Sequence, residues 1–167
     1  MRDVAVVVSI DDAGLPKAAK AEGRVERSVA DVWKVIEDVN QYADRVPMMS
    51  KVRLDGERAT VDLKFKVALF SVGFQFVVDI TREREKFLSL VWVSGEPRGI
   101  KLRFELEPLD DGAACLLRTS GAFDANSLGW LTKYFLKHHP EIQYGVMPGV
   151  AVGLFAAMRD AAEKLPR

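Results

Sequence analysis

Residues 58–80 read Arg58-Ala59-Thr60-Val61-Asp62-Leu63-Lys64-Phe65-Lys66-Val67-Ala68-Leu69-Phe70-Ser71-Val72-Gly73-Phe74-Gln75-Phe76-Val77-Val78-Asp79-Ile80. In the first half, Ala59, Val61, Leu63, Phe65, Val67 and Leu69 alternate with Thr60, Asp62, Lys64, Lys66 and Ala68. Successive side chains on a strand point to opposite faces, so this period of two predicts a strand with one dry and one wet face. Val72, Phe74, Phe76, Val78 and Ile80 repeat the pattern in the second half. Only a short turn separates the two runs, which makes them antiparallel neighbours.

Working outward, Leu88, Leu90 and Trp92 mark the next strand, Ile100, Leu102, Phe104 and Leu106 the one after, and 114–123 the last. Short polar or Gly/Pro turns join them, Asp110-Asp111-Gly112 among them, so the reading is an antiparallel meander and not a parallel βαβ sheet. Upstream, the apolar run Val4 to Ile10 enters a segment of turn formers, Asp11-Asp12-Ala13-Gly14-Leu15-Pro16, and a second strand follows over 18–27. Ser28 with Asp31 three residues later predicts a capped helix start. Val29, Val32, Trp33, Ile36 and Val39 then form one apolar stripe at helical spacing. This helix is expected to end near Asn40, with a second short helix over 41–45 before Pro47. Residues 128–137 are amphipathic, and His139-Pro140 interrupts them. A terminal helix is expected over 148–164, burying Val150, Leu154, Phe155, Met158 and Ala162 and leaving Arg159, Asp160, Glu163 and Lys164 to solvent. The fold class is α+β.

A chain of 167 residues with 49% hydrophobic side chains supplies one substantial core, so 1–167 reads as a single domain. Lys plus Arg (24) balance Asp plus Glu (24), leaving no net field to recruit nucleic acid. The longest uncharged stretch, 142–158, contains Gly145, Pro148, Gly149 and Gly153 and falls short of the roughly 20 apolar residues of a membrane span. A buried helix is the expectation, with peripheral membrane contact left open. Cys115 is the sole cysteine, and the start of the chain lacks a signal-peptide pattern, so a cytoplasmic protein is expected.

The stretch Val29-Ala30-Asp31-Val32-Trp33-Lys34-Val35-Ile36-Glu37-Asp38-Val39-Asn40-Gln41-Tyr42, with Val46-Pro47 after it, resembles the opening helix pair of the START-like superfamily. That group includes polyketide cyclases, coenzyme Q-binding proteins and the major birch-pollen allergen. Arg103-Phe104-Glu105-Leu106-Glu107-Pro108-Leu109-Asp110-Asp111-Gly112 is similar to the family's last hairpin. The resemblance covers 18–164 and implies a helix-grip fold, in which a curved antiparallel sheet of six to eight strands wraps a long C-terminal helix. Residues 1–17 would add an extra strand and turn outside that core.

The resemblance also implies a cavity between the sheet and the terminal helix. Its expected walls are Val61, Leu63, Phe65, Phe74, Phe76, Leu90, Trp92, Leu102, Phe104, Tyr134, Met147, Leu154, Phe155 and Met158. These side chains suit an apolar guest, although they equally suit a close-packed core. Met48, Met49 and Met147, with Tyr134 and Tyr144, either flank an entrance or pack beneath the helix. The turn Gly95-Glu96-Pro97-Arg98-Gly99 either borders the mouth or is simply solvated.

Signals for chemistry are sparse. His138 and His139 are neighbours about 100° apart on a helix, a poor arrangement for chelating one metal. Cys115 falls on the dry face of its strand, where a structural thiol is the commoner role. The sequence contains no Gly-x-Ser-x-Gly elbow, P-loop or dinucleotide motif, so neither a catalytic residue, a cofactor nor a metal is assigned. Three functions compete. The first is binding or transport of a hydrophobic small molecule or lipid. The second is an aromatase/cyclase-type enzyme, whose candidate acids and bases are Arg103, Glu105, Tyr134 and His138, with Arg103 and Glu105 expected to face away from the cavity. The third is a filled-core scaffold presenting Trp130, Tyr134 and Phe135 to a partner. A monomer or a homodimer is expected.

Overall fold

The computed structural model of the chain describes residues 3–67, 70–124, 127, 129, 137–138 and 141–166. Eight strands, β1 (Val4–Ile10), β2 (Pro16–Val25), β3 (Met49–Asp55), β4 (Arg58–Val67), β5 (Phe70–Glu83), β6 (Phe87–Gly95), β7 (Lys101–Leu109) and β8 (Ala114–Ala122), form one sheet in the order β1-β2-β8-β7-β6-β5-β4-β3. Every neighbouring pair is antiparallel. Helices α1 (Val29–Glu37) and α2 (Tyr42–Arg45) are inserted between β2 and β3, and α3 (Glu141–Glu163) follows β8. This is the expected helix-grip arrangement.

Local chemistry explains the helix pair. Ser28 is extended and its hydroxyl accepts the Asp31 amide at 3.2 Å. The Asp31 carboxylate is held below its ordinary range by the Lys34 ammonium and by the Ser28 hydroxyl. Val32, Trp33, Val35 and Ile36 form the buried face of α1. After a 3-10 turn over Val39–Gln41, the phenol of Tyr42 turns inward and donates to the Ile36 carbonyl at 2.6 Å. Its ring meets Phe104 edge-on, with centroids 6.0 Å apart. The Asp110–Gly112 turn carries three positive φ angles, 50°, 53° and 91°, which suits Asp and Gly and places the β7–β8 hairpin where expected.

Three contacts seat α3 on the sheet from its middle to its end. The Thr119 hydroxyl on β8 is fully buried and donates to the Ala151 carbonyl at 2.8 Å. The Phe155 ring lies over Gly23 of β2, where a Cβ would stand 2.7 Å from Cζ. Arg27 closes the end of the helix, donating to the carbonyls of Glu163 at 3.1 Å, Pro166 at 3.5 Å and Leu165. Leu154, Phe155, Met158 and Ala162 are buried as expected, while Val150 is half-buried.

One expectation needs correcting. The terminal helix begins at Glu141, seven residues before the expected start at Pro148. Proline lacks one amide, so Pro148 offers nothing to the Tyr144 carbonyl one turn back, yet Met147 continues the buried stripe upstream and carries the helix through. The sheet also holds β3, to which no period-two pattern points, because Met49 alone among its residues is buried. Of the helix expected over 128–137, only Gly129, which is not helical, and Lys137, which is helical together with His138, fall among the described residues.

Candidate functional site

The inner face of the sheet, the one α3 covers, divides into a closed end and an open end. Toward the closed end, Ala59 and Val61 on β4, Val78 and Ile80 on β5, Leu88 and Leu90 on β6, Phe104 and Leu106 on β7, and Cys115 and Leu117 on β8 are all buried. They merge with α1 and with Leu154, Phe155 and Met158 into one contiguous core. Toward the open end the same strands carry Leu63, Phe74, Trp92 and Leu102, with Phe123 directly after β8. Here Phe74, Trp92, Phe123 and, from α3, Val150 are half-buried, while Leu63 and Leu102 are buried members of the core. Leu63 stands opposite Phe74, Trp92 opposite Val78, and Leu102 between Leu90 on one side and Gly121 on the other.

Of the expected cavity walls, Val61, Phe76, Leu90, Phe104, Met147, Leu154, Phe155 and Met158 are thus packed in the core, and Leu63, Phe74, Trp92 and Leu102 border the open end. Phe65 lies on β4, and Tyr134 falls outside the described residues. Sequence reasoning did not select Gly121, Phe123 or Val150 as wall residues. A Cβ on Gly121 would meet Leu102 Cδ2 and Val150 Cγ1, each at 3.4 Å, so the missing side chain lets α3 approach β8 here. A glycine inside a strand was the available signal.

The segment between β6 and β7 borders this end and is well tied down. Trp92 Nε1 donates to the Gly95 carbonyl at 3.1 Å, and the Glu96 amide donates to the Gln75 carbonyl at 2.9 Å. Gly95 has φ 89°, and a Cβ there would sit 2.7 Å from Phe76 Cα and closer still to the Gln75 oxygen, so the turn requires glycine. On the far side, the Arg98 amide donates to Ser127 Oγ at 2.6 Å, and the Asp124 amide to the Arg98 carbonyl at 2.8 Å. The two stretches form one rim.

Electrostatically the inner face is quiet. Thr119 is the one buried polar or charged residue among those described, and its proton is committed to Ala151. Cys115 is buried at the closed end, and desolvation pushes its thiol up to about 11. Arg103 and Glu105 pair with each other at 2.8 Å on the opposite face from Phe104, with Arg103 over the Phe87 ring, as the alternation predicts. His138 is exposed; His139 lies outside the described residues. Among the described residues, no three His, Cys, Asp or Glu side chains gather in a metal-holding group. Nor is any described helix long and apolar enough to cross a membrane.

A profile of the polyketide cyclase/dehydrase and lipid transport family matches residues 25–160. Among solved structures, a START superfamily protein from Mycobacterium smegmatis superposes with a TM-score of 0.65 at 14% identity, covering 90% of this chain and 99% of that one. The Zhui aromatase/cyclase from Streptomyces sp. R1128 gives 0.59 at 17% identity, covering 97% and 95% respectively. A Thermus thermophilus protein gives 0.65 at 9%, covering 86% and 95%. Identities this low speak to the fold alone. No curated protein matches the chain significantly.

Proposed function

The chain belongs to the polyketide cyclase/dehydrase and lipid transport family, and from that premise we propose that it binds and carries a hydrophobic small molecule or lipid between the sheet and α3. On this reading 1–167 is one START-like domain in the cytoplasm, with β1 added outside the 18–164 core. The guest enters past the rim at Gly95 and Ser127 and rests on Leu63, Phe74, Trp92, Leu102, Phe123 and Val150. The observation that carries the proposal is the sorting of the inner face: half-covered apolar side chains sit at one end, and no described titratable side chain is buried among them. Burying a guest's apolar surface there is worth about 25 cal/mol per Å², so about 200 Å² yields roughly 5 kcal/mol before ordering costs.

The cyclase reading needs a general acid or base within reach of the guest. Arg103 and Glu105 are turned away from the inner face and paired, which favours binding without turnover. The test begins with native mass spectrometry of protein purified from its own host, followed by organic extraction of any retained guest. A hydrophobic fluorescent probe is then titrated into the wild type and into Gly121→Leu. The larger side chain enters the space between Leu102 and Val150 and should weaken probe binding at least tenfold. An empty wild-type protein that also ignores the probe would sink the proposal, as would equal probe binding by the variant.

A further inference from the structure

Among the described residues the sheet ends in two edge strands, and their sequences differ in kind. β3 at one end carries Lys51, Arg53 and Asp55, and its register breaks between Met49 and Lys51. Charges and bulges are how an edge strand is kept from pairing with another chain. β1 at the other end has neither a charge nor a proline over its seven residues. Its pairing with β2 is regular from Val4 to Ser9. Four of its apolar side chains stand in solvent: Val6 is 42% exposed, Val7 62%, Val8 38% and Ile10 63%.

The register with β2 sorts these side chains. Val4, Val6 and Val8 share the inner face with Gly23, Ala21 and Ala19, while Ala5 and Val7 share the outer face with Glu22 and Lys20. An edge strand normally shows apolar side chains on one face only. A partner for β1 must bring them on both faces and must bring no charge, because the strand offers nothing to neutralise one. β1 itself has that pattern.

We infer that β1 is a homotypic interface, through which two copies of the chain pair antiparallel about a two-fold axis perpendicular to the sheet. Such an axis matches the same patch on both copies and keeps each inner face beside the other inner face. A register centred on Val6 sets Val4 opposite Val8, Ala5 opposite Val7 and Asp3 opposite Ser9, so no like charges meet. Centring on Val7 instead would oppose Asp3 to Asp11, a destabilising pair. On the inner side α3 runs next to β1, and the Tyr144 hydroxyl donates to the Gly14 carbonyl at 3.1 Å. The two α3 helices therefore flank the seam, each with Tyr144 54% exposed and with open space above Gly145 and Gly149. Seven residues at about 3.4 Å each make an edge only about 24 Å long. Alone this edge falls short of the roughly 1,200 Å² of a stable complex. The dimer is accordingly reversible and depends on concentration.

Sedimentation equilibrium of the full chain tests this, with no ligand needed. From about micromolar to about millimolar protein, the average mass should climb from 18.6 kDa toward twice that value, and Val6→Lys should hold it at the monomer with an unchanged melting curve. Position 6 is exposed, so the variant folds. Val6→Cys should give a disulfide-linked dimer under mild oxidation, because residues opposite in an antiparallel pair have Cα atoms about 4.5–5.5 Å apart and the native Cys115 is buried. Val7→Cys, offset by two residues in this register, should not. The inference fails if the wild type stays at 18.6 kDa throughout, if Val6→Lys associates as the wild type does, if mass grows past the dimer, or if β1 is engaged only by a different protein.

Discussion

Replacing Gly23 by Ala isolates the grip on α3. A Cβ at this position stands 2.7 Å from Phe155 Cζ, 3.4 Å from Cε2 and 3.1 Å from the Asp3 carbonyl oxygen. Ordinary carbon contacts lie near 3.5–4.0 Å, so the ring tip must withdraw by about 0.8 Å or more. The ring is fully buried, and the Asp3 backbone blocks compensation from β2. Overpacking of this kind costs about 1–3 kcal/mol. In a chain of this length each kcal/mol moves the melting midpoint by about 2–4 °C, so a loss of about 2–12 °C is expected. Without the clash the sign would reverse, because Gly→Ala inside a strand gains roughly 0.5–1 kcal/mol. Urea unfolding followed by circular dichroism should therefore show a lower midpoint at an unchanged slope. Phe155→Leu, which removes the ring tip, should rescue part of the loss, with a coupling of about 0.5–3 kcal/mol between the two sites. A stabilised Gly23→Ala, or additivity of the two changes within about 0.5 kcal/mol, would refute the seating of Phe155 on this glycine.

Other consequences are open to measurement. Thr119→Val should lower stability by about 1 kcal/mol through loss of the bond to Ala151, and Thr119→Ser should keep most of it, both read from urea midpoints. Gly149→Ala has open space for its Cβ and should stabilise α3 by about 0.5–1 kcal/mol while slowing probe exchange in stopped-flow fluorescence; unchanged exchange would argue against movement of that half of the helix. The Cys115 thiol, raised by burial to about 11, holds its proton more tightly in the folded chain than in the unfolded one. Folding stability should then decline as pH rises from the ordinary thiol range near 8.5 toward 11, a slope that Cys115→Ala removes. At pH 8 a thiol reagent should label Cys115 only after denaturant is added. Arg27→Met should speed amide exchange in the last turn of α3, since three carbonyl acceptors lose their donor.

The sheet was readable from the chain wherever one face is wet and the other dry, as in residues 58–80, and α1 wherever a Ser28 cap precedes a 3.6-residue stripe. β3 was not, because an edge strand with Met49 as its one buried residue has no dry face to print a period. β1, an apolar run expected as an added strand outside the core, faces mostly solvent. The start of α3 was misplaced because Pro148 is a local signal, whereas Met147 is held by tertiary packing. For the candidate site, the dry faces named the right strands but not the depth along them. Val61 and Leu63 are equivalent in alternation, yet only Leu63 borders the open end. Depth depends on registers and bulges, such as the shift between Val77 and Val78 that brings Trp92 opposite Val78, and a linear pattern carries none of that.

The seating of α3 has a consequence for how this chain can change over generations. Ala151, Phe155 and the carbonyls at Glu163, Leu165 and Pro166 are fixed by Thr119, Gly23 and Arg27, while Val150, Phe74, Trp92 and Phe123 are only half-buried against the core. The residues that seat α3 and those that would meet a guest are therefore different, although Leu63 and Leu102 of the second group also belong to the core. On the carrier reading, a substitution at the half-buried Phe74 or Phe123 would alter which molecule is accepted and draw less on a stability margin of only about 5–15 kcal/mol than one at the buried Leu102. Inherited variation can thus explore new guests at the open end without passing through unfolded intermediates, which suits this architecture to diversification at low identity.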